Sequence, residues 1–384
     1  MKNTIRTAVF LTAALTFASC GSANSGESAA QSAPSATTSP FEVAEMGSFT
    51  EPWAMAFEPG TGNLFITERV GALKVYHPDG GVSAVDGVPP VDHGGQGGFG
   101  DIAFAPDYAT SRQIYLSWAE AGEGDTRGAV VGRGTLACDT PAACRIEGLA
   151  VIWRQTPKVT GRGHYSHRLA FSPDGAFLFV ASGERQKGEP AQDLGNNLGT
   201  VVRLLPDGTP APGNPFADRD GVTAQIWSYG HRNILGLQFD PQGRLWDLEH
   251  GPAGGDEFNL VKAGANYGWP IVSDGDHYDG RAIPRHATRP EFAAPAISWN
   301  PVIAPGDFIF YTGSLFPRLR GDALLTGLKT QAIVHLAIDG EKAREVARYD
   351  LGSRLRDIQQ DADGALWVIT DGTDGKLLKL TPAK

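Results

Sequence analysis

Two polar clusters in the middle of the chain hold the residue types most able to do chemistry. The first is Tyr229-Gly-His231-Arg232-Asn233. The second, Glu249-His-Gly251-Pro252-Ala-Gly-Gly-Asp256-Glu257-Phe-Asn259, runs on to Asn266-Tyr267-Gly-Trp269-Pro270. Cations, carboxylates and glycine-rich backbone are thus concentrated in one short span. Between the clusters, Ile234-Leu-Gly-Leu237-Gln-Phe239 and Leu245-Trp246-Asp-Leu248 alternate partially with period two, interrupted by the turn signal Asp240-Pro-Gln-Gly243. A hairpin over this stretch carries Arg232-Asn233 at one end and returns Gly251-Pro252 to the same end.

Composition limits what such a site can bind. The formal charge is −10, with no basic patch to neutralise a phosphate backbone, so a nucleic-acid partner is excluded. An anionic ligand must instead be held by a few local cations. With 49 Gly and 26 Pro among 384 residues, the chain is turn-rich, globular and long enough for a large core.

The N-terminus reads as a targeting segment. Lys2 and Arg6 precede an apolar run from Ala8 to Ala18 that is too short for an ordinary membrane span and ends in Phe17-Ala-Ser-Cys20-Gly21. It resembles a bacterial lipoprotein signal over residues 1–20 with Cys20 lipidated; a plain secretory signal is the alternative. Either reading exports the chain to the periplasmic face of the envelope, with membrane contact only through the anchor. Residues 21–40, almost all Ser, Ala, Gly, Gln, Thr and Pro, read as a disordered tether. The folded domain is expected over 41–384. In an oxidising compartment Cys138 and Cys144, flanking Asp-Thr-Pro-Ala-Ala, can close a local disulfide.

A loose repeat organises that domain: alternating apolar residues, a Pro or Asp-Gly turn, then a denser apolar strand. It runs from Trp53–Phe57 to Leu64–Thr67, from Asp101–Phe104 to Ile114–Trp118, and from Leu169–Phe171 to Phe177–Val180. It continues from Leu237–Phe239 to Leu245–Trp246, more divergently from Phe308–Phe310 to Ala332–His335, and from Ile358 to Leu366–Ile369. These units predict an all-β fold, a six-bladed β-propeller. A strand around Phe41–Met46 would pair with the last blade and close the ring.

Several motifs occur in the order of one known family. They are Gly94-Gly-Gln96-Gly-Gly-Phe-Gly100, His164-Tyr-Ser-His-Arg168-Leu169, Ala191-Gln-Asp193, the Tyr229–Pro270 block, Trp299–Pro305, Leu328-Lys329 and Arg354-Leu-Arg356-Asp357. From about Glu51 to Leu380 the chain resembles the soluble pyrroloquinoline quinone (PQQ) dependent aldose sugar dehydrogenases, the glucose and sorbosone dehydrogenase family. An ordered set of this kind is specific where one motif alone is weak.

The resemblance implies that an aldose gives up a hydride from its anomeric carbon to PQQ while a base takes the hydroxyl proton. His164 occupies the base position; outside that motif it would read as a structural loop histidine. His167, at a position where small residues are usual, is assigned a structural role. Lys329, Arg354 and Arg356 match cofactor-binding positions, and Arg232 with Asn233 match the pair at the reactive edge. Alternation puts Arg354 and Arg356 on one strand face, where both can meet carboxylates; the competing reading is a solvated strand end paired with Asp357. The backbone carbonyls of Gly251 and Pro252 are implied as ligands of a Ca²⁺ that polarises the quinone. Asp256, Glu257 and the Tyr267 carbonyl are implied on a second, structural Ca²⁺. Without the family context Asp256-Glu257 is a turn with capping carboxylates. Gln96 would line the sugar side.

Two departures qualify the match. Leu235 and Val302 replace polar residues, each losing a hydrogen bond of about 1 kcal/mol. The long substrate and dimerisation insertions of the glucose enzyme are absent, so a broad aldose preference and a monomer are expected. The electron acceptor would be a quinone, a cytochrome or a dye. Two rival readings remain: a Ca²⁺-dependent lactonase, against which the cationic set argues, and a non-catalytic propeller binding glycans or protein, against which His164 argues.

Overall fold

The computed structural model describes residues 39–383 of the chain. The expected signal segment with Cys20 and nearly all of the 21–40 tether lie outside these residues. The fold is all-β: among the described residues the one α-helix is the single turn Tyr108–Ser111, beside a few 3₁₀ turns. No helix among them is long and apolar enough to cross a membrane.

Four sheets have four strands each. A nine-stranded sheet consists of two antiparallel runs of four, Pro52–Phe57 to Val82–Asp86 and Phe99–Phe104 to Ala143–Arg154, plus an edge pair at Val159–Thr160. The two runs are tied by a short parallel contact, Val85 beside Cys144 and Asp86 beside Arg145. The chain ends share one sheet. Phe41–Phe49 pairs antiparallel with Gly375–Pro382, so the first strand shields the edge of the last. Cys138 and Cys144 are joined by a disulfide at the tip of the long hairpin of Thr126–Thr140 and Ala143–Arg154.

The opening strands of the runs are Pro52–Phe57, Phe99–Phe104, Ser166–Phe171, Ile234–Phe239, Pro305–Phe310 and Leu355–Gln360. Each packs against the next and the last packs back against the first, a closed ring around one axis. That placement explains the partial alternation in the sequence: in Ile234–Phe239 four successive residues are buried, because both strand faces are covered. The Asp240–Gly243 turn is made as expected, with Gly243 N–H donating to the Asp240 carbonyl and Gly243 at φ 77°. Asp240 Oδ2 also accepts from Trp246 Nε1 at 2.9 Å, and Asp361 Oδ2 from Trp367 Nε1 at 2.8 Å. One Asp-x-x-Gly-x-Leu-Trp device therefore closes two of the hairpins. The fifth unit differs from the sequence reading. The partner of Pro305–Phe310 is Ala323–Gly327, and Ala332–Asp339 is the third strand. The intervening Ala323-Leu-Leu-Thr-Gly327 strand is preceded by Pro317 and by Gly321 at φ 90°, a turn signal the repeat reading passed over.

All six ring strands carry a β-bulge at the same stage, at Pro52/Ala54, Phe99/Ile102, Ser166/Leu169, Ile234/Gly236, Pro305/Phe308 and Leu355/Asp357. Bulges break the pairing and re-aim side chains. The residues inside them are Trp53, Gly100-Asp101, His167-Arg168, Leu235, Gly306-Asp307 and Arg356, which are the groups that line the axis.

Candidate functional site

A cavity of about 300 Å³ opens at the end of the ring where these strands begin. Trp53, His167, Leu235 and Arg356 reach it from their bulges, and Gln96, Asn233 and Arg354 from loops. Four of the residues expected from sequence are thereby brought together: Gln96, Asn233, Arg354 and Arg356. The two arginines share a partner the sequence did not suggest. Asp371 Oδ2 accepts from Arg354 Nε at 2.9 Å, and its Oδ1 from Arg356 Nη2 at 2.6 Å. Asp357 is not their partner; it turns to the axis, where its Oδ2 accepts from Arg168 at 3.1 Å. Arg69 adds a third guanidinium to the wall, so the lining carries an excess of positive charge despite Asp371. Lys329 is exposed, one residue beyond Leu328, which lines the cavity. No carboxylate lies within ion-pair distance of it among the described residues.

His164 sits behind the wall. It is 5% exposed, and its Nδ1 bonds Glu184 Oε1. Its backbone N–H donates to Gln96 Oε1 at 2.7 Å, which ties it to the lining. His164, Ser166 and His167 all lie in the left-handed region, at φ 49°, 57° and 53°. Such conformations cost about 1–3 kcal/mol each in non-glycine residues and persist only where the surroundings over-determine them. Here the buried Arg185 guanidinium stacks 3.7 Å over Tyr165 and donates to the Gly163, Arg127 and Gly161 carbonyls.

The three histidines near the cavity differ electrostatically. His167 stacks on Trp53 at 5.0 Å, bonds Ser117 Oγ, and is pushed down to about 3 by burial and by Arg168. It is a neutral wall. His250 donates Nε2–H to the Pro305 carbonyl and is also pushed down to about 3, by burial and then by Arg232. His164 is lowered by burial too, but Glu184 pulls in the opposite direction. Glu184 itself, although burial opposes ionisation, is held below its ordinary value by the His164 hydrogen bond. It therefore accepts from Nδ1–H, and Nε2 keeps its lone pair with no partner among the described residues.

A second, narrow cavity adjoins through His250 and gathers Arg232, Gly251, Glu257 and Tyr267. The hairpin does return this loop to Arg232-Asn233: the His250 N–H donates to the Asn233 carbonyl at 3.0 Å. Pro252 is buried beside Gly251. Asp256, fully buried, accepts Gly251 N–H at 2.9 Å on one oxygen and Ala304 N–H at 2.7 Å on the other. It pins the glycine loop to the wall of the main cavity, and burial pushes it up to about 6. Glu257 joins a buried network with Glu249, Asp247, Asn259, His231 and His286. Asp247 Oδ2 and Asn259 Oδ1 in that network lack any hydrogen-bond partner, and burial raises both Asp247 and Glu257. Surplus acceptors of this kind suit a hard cation. The buried Nε of Arg69 at the main cavity and that of Arg232 at the second are donors without acceptors, which suits an anionic ligand rich in acceptor oxygens. The residues present thus fit both an anion in the main cavity and a metal ion beside it.

Residues 49–379 match the family model described as Glucose / Sorbosone dehydrogenase. The chain belongs to this family of oxidoreductases. It is 38% identical over 339 residues to the aldose sugar dehydrogenase YliI of Escherichia coli K12, covering 86% of this chain and 90% of that one. The crystal structure of the E. coli soluble aldose sugar dehydrogenase in its apo form superposes with a TM-score of 0.83 at 37% identity, covering 89% of this chain and all of that one. The PQQ-bound aldose sugar dehydrogenase of Streptomyces coelicolor gives 0.73 at 26% identity over 90% of this chain and 99% of that one.

Within this family member, sequence reasoning missed Glu184, Asp371, Arg69, Trp53 and His250. A usable signal existed for four of them. Arg69, Glu184, His250 and Asp371 each follow the second strand of a run directly or nearly so, at Leu64–Glu68, Leu178–Ser182, Leu245–Glu249 and Leu366–Thr370. An antiparallel hairpin returns that end to where the ring strand begins. Trp53 had no comparable mark.

Proposed function

We propose that the protein is a PQQ-dependent aldose dehydrogenase on a six-bladed β-propeller, oxidising the anomeric carbon of an aldose to the lactone. The closed ring of six bulged strands supports the propeller reading. The observation that carries the functional reading is the excess of guanidinium charge on the main cavity, with the Arg69 Nε unpaired, beside a Gln96 whose Oε1 holds the amide of the Glu184-paired His164 behind the wall. Arg354, Arg356, Lys329, Arg232 and Asn233 would hold the PQQ carboxylates and quinone edge. The carbonyls of Gly251 and Pro252 would hold one Ca²⁺; Asp256, Glu257 and the Tyr267 carbonyl would belong to a second. When bound, PQQ supplies the hydride acceptor and Ca²⁺ the polarising charge.

The chain's own residues do the rest. Glu184 fixes the His164 ring and tautomer, so Nε2 is the atom that takes the proton of the anomeric hydroxyl. Gln96, anchored on the His164 amide, orients the sugar on that side. Leu235 and Trp53 give the cavity apolar walls that exclude water. Leu235 in place of a polar residue, and the lack of long insertions, favour a broad aldose range and a monomer. The protein would act at the periplasmic face of the envelope, anchored at Cys20 or free after signal removal, passing electrons to a quinone, cytochrome or dye. The test is to purify the apo-protein, add PQQ with Ca²⁺, and follow dye reduction across a panel of aldoses. Turnover of several aldoses is expected; none with any sugar would overturn the reading.

A further inference from the structure

The ring encloses a second cavity, of about 310 Å³, that shares no lining residue with the first. On each strand the earlier residues face the first cavity and the later ones this cavity: His167 precedes Leu169–Phe171, Leu235 precedes Gln238, and Arg356 precedes Gln359. Arg168 stands at the boundary. Its Nε donates to the Leu235 carbonyl at 2.6 Å, and its guanidinium lies 4.2 Å over Trp53. Its Nη1 lies 3.1 Å from Asp357 Oδ2, 3.3 Å from Asp101 Oδ1 and 3.5 Å from Asp307 Oδ2.

One guanidinium thus faces three carboxylates from three ring strands, and no other Lys or Arg is within ion-pair distance of them among the described residues. Backbone amides compensate two of the three. Asp101 accepts from Leu169 N–H and Ile102 N–H, and Asp357 from Met55 N–H. Asp307 is the exception: it is 1% exposed, it lines the cavity, and its Oδ1 has no hydrogen-bond partner. Gly236 makes room for that oxygen, since a Cβ there would stand 2.9 Å from it. An uncompensated double negative charge in a buried cluster costs several kcal/mol. A proton on Asp307 would relieve only one of the two surplus charges.

We infer that this axial cavity binds one hard divalent cation, calcium, through the carboxylates of Asp101 and Asp307. The side-chain oxygens of Gln238 and Gln359, which line the same cavity, and water complete an all-oxygen shell. One divalent ion makes the cluster of Arg168 and three carboxylates neutral. The ion would tie the second and fifth ring strands across the axis. It is separate from the ions proposed at Gly251 and Glu257 and does not depend on the dehydrogenase reading.

The test is calcium content per chain, by atomic emission after equilibrium dialysis of the full-length protein without PQQ, for wild type, Asp307→Asn and Asp101→Asn. Each variant should hold one calcium fewer than wild type, with PQQ binding unchanged. Equal calcium in all three, with an infrared band of a protonated carboxyl that Asp307→Asn removes, would overturn the inference. Crystals of the wild type equilibrated with terbium decide the matter should the variants not fold: an anomalous peak beside Asp307 is expected. Peaks only at the Gly251–Glu257 loop would overturn the axial site alone.

Discussion

Glu184 accepts the Nδ1 proton of His164 behind the wall of the main cavity, a pair in which both side chains are almost fully buried. The pairing gives His164 what His167 and His250 lack, a carboxylate that stabilises its charged form. Glu184→Gln removes that charge and scrambles the tautomer preference. It should lower kcat by at least about tenfold with little change in KM or PQQ affinity, because a positioned base contributes about 10²–10⁴. His164→Ala should lose nearly all turnover and still take up PQQ; unchanged turnover would remove His164 as the base.

The same pair sets a pH dependence. Burial depresses His164 below 6.5 and Glu184 works against that, so the neutral base forms as pH rises through a value under 6.5. The rising acid limb of kcat/KM should have its midpoint there. Removing Glu184 takes away the influence that raises His164, so the limb in Glu184→Gln should move to lower pH. A move to higher pH would contradict the assignment.

Arg354 and Arg356 share Asp371 but are not equivalent. The Arg356 side chain is 12% exposed and that of Arg354 51%, and screening by water weakens the outer one. Arg356→Ala should weaken PQQ uptake by about 10–100-fold, the worth of a desolvated charge-assisted bond. Arg354→Ala and Lys329→Ala should cost less. Titration of each apo-variant with PQQ gives the order directly.

Gly100 is required by His167. A Cβ at Gly100 would fall 1.9 Å from the imidazole, so Gly100→Ala must displace a ring that is packed on Trp53. Overpacking of this kind costs about 1–3 kcal/mol. Urea unfolding should show that loss, and His167→Ala should largely restore stability in the double variant.

Much of this was legible in the residues. The Asp240–Gly243 turn and the flanking apolar runs predicted a hairpin that returns Gly251 to Asn233, and the structure has it. The all-β class followed from the repeated units, although the Ala323–Gly327 strand escaped, its Pro317 and Gly321 turn signals standing apart from the Asp-Gly form seen in other units. Gln96, Asn233, Arg354 and Arg356 do share one cavity. What the sequence hid was partnership across the ring. Glu184 and Asp371 reach their partners only because hairpins return to the start of the ring strands. His167 and Arg168 are adjacent in sequence, yet one lines the first cavity and the other the second. Position along the strand decides this, earlier residues meeting the first cavity and later ones the second, and the bulge at that point breaks the period of two, so no alternation pattern predicts where each bulged side chain goes.

In the proposed function, the positively charged cavity at the head of the ring holds PQQ with calcium beside it. Titrating the apo-protein with PQQ in calcium buffer, while following the quinone absorption and the Tm, tests it most directly. A saturable spectral change at one PQQ per chain with a rise in Tm is expected, both weakened in Arg356→Ala. No spectral change and no stabilisation would contradict it.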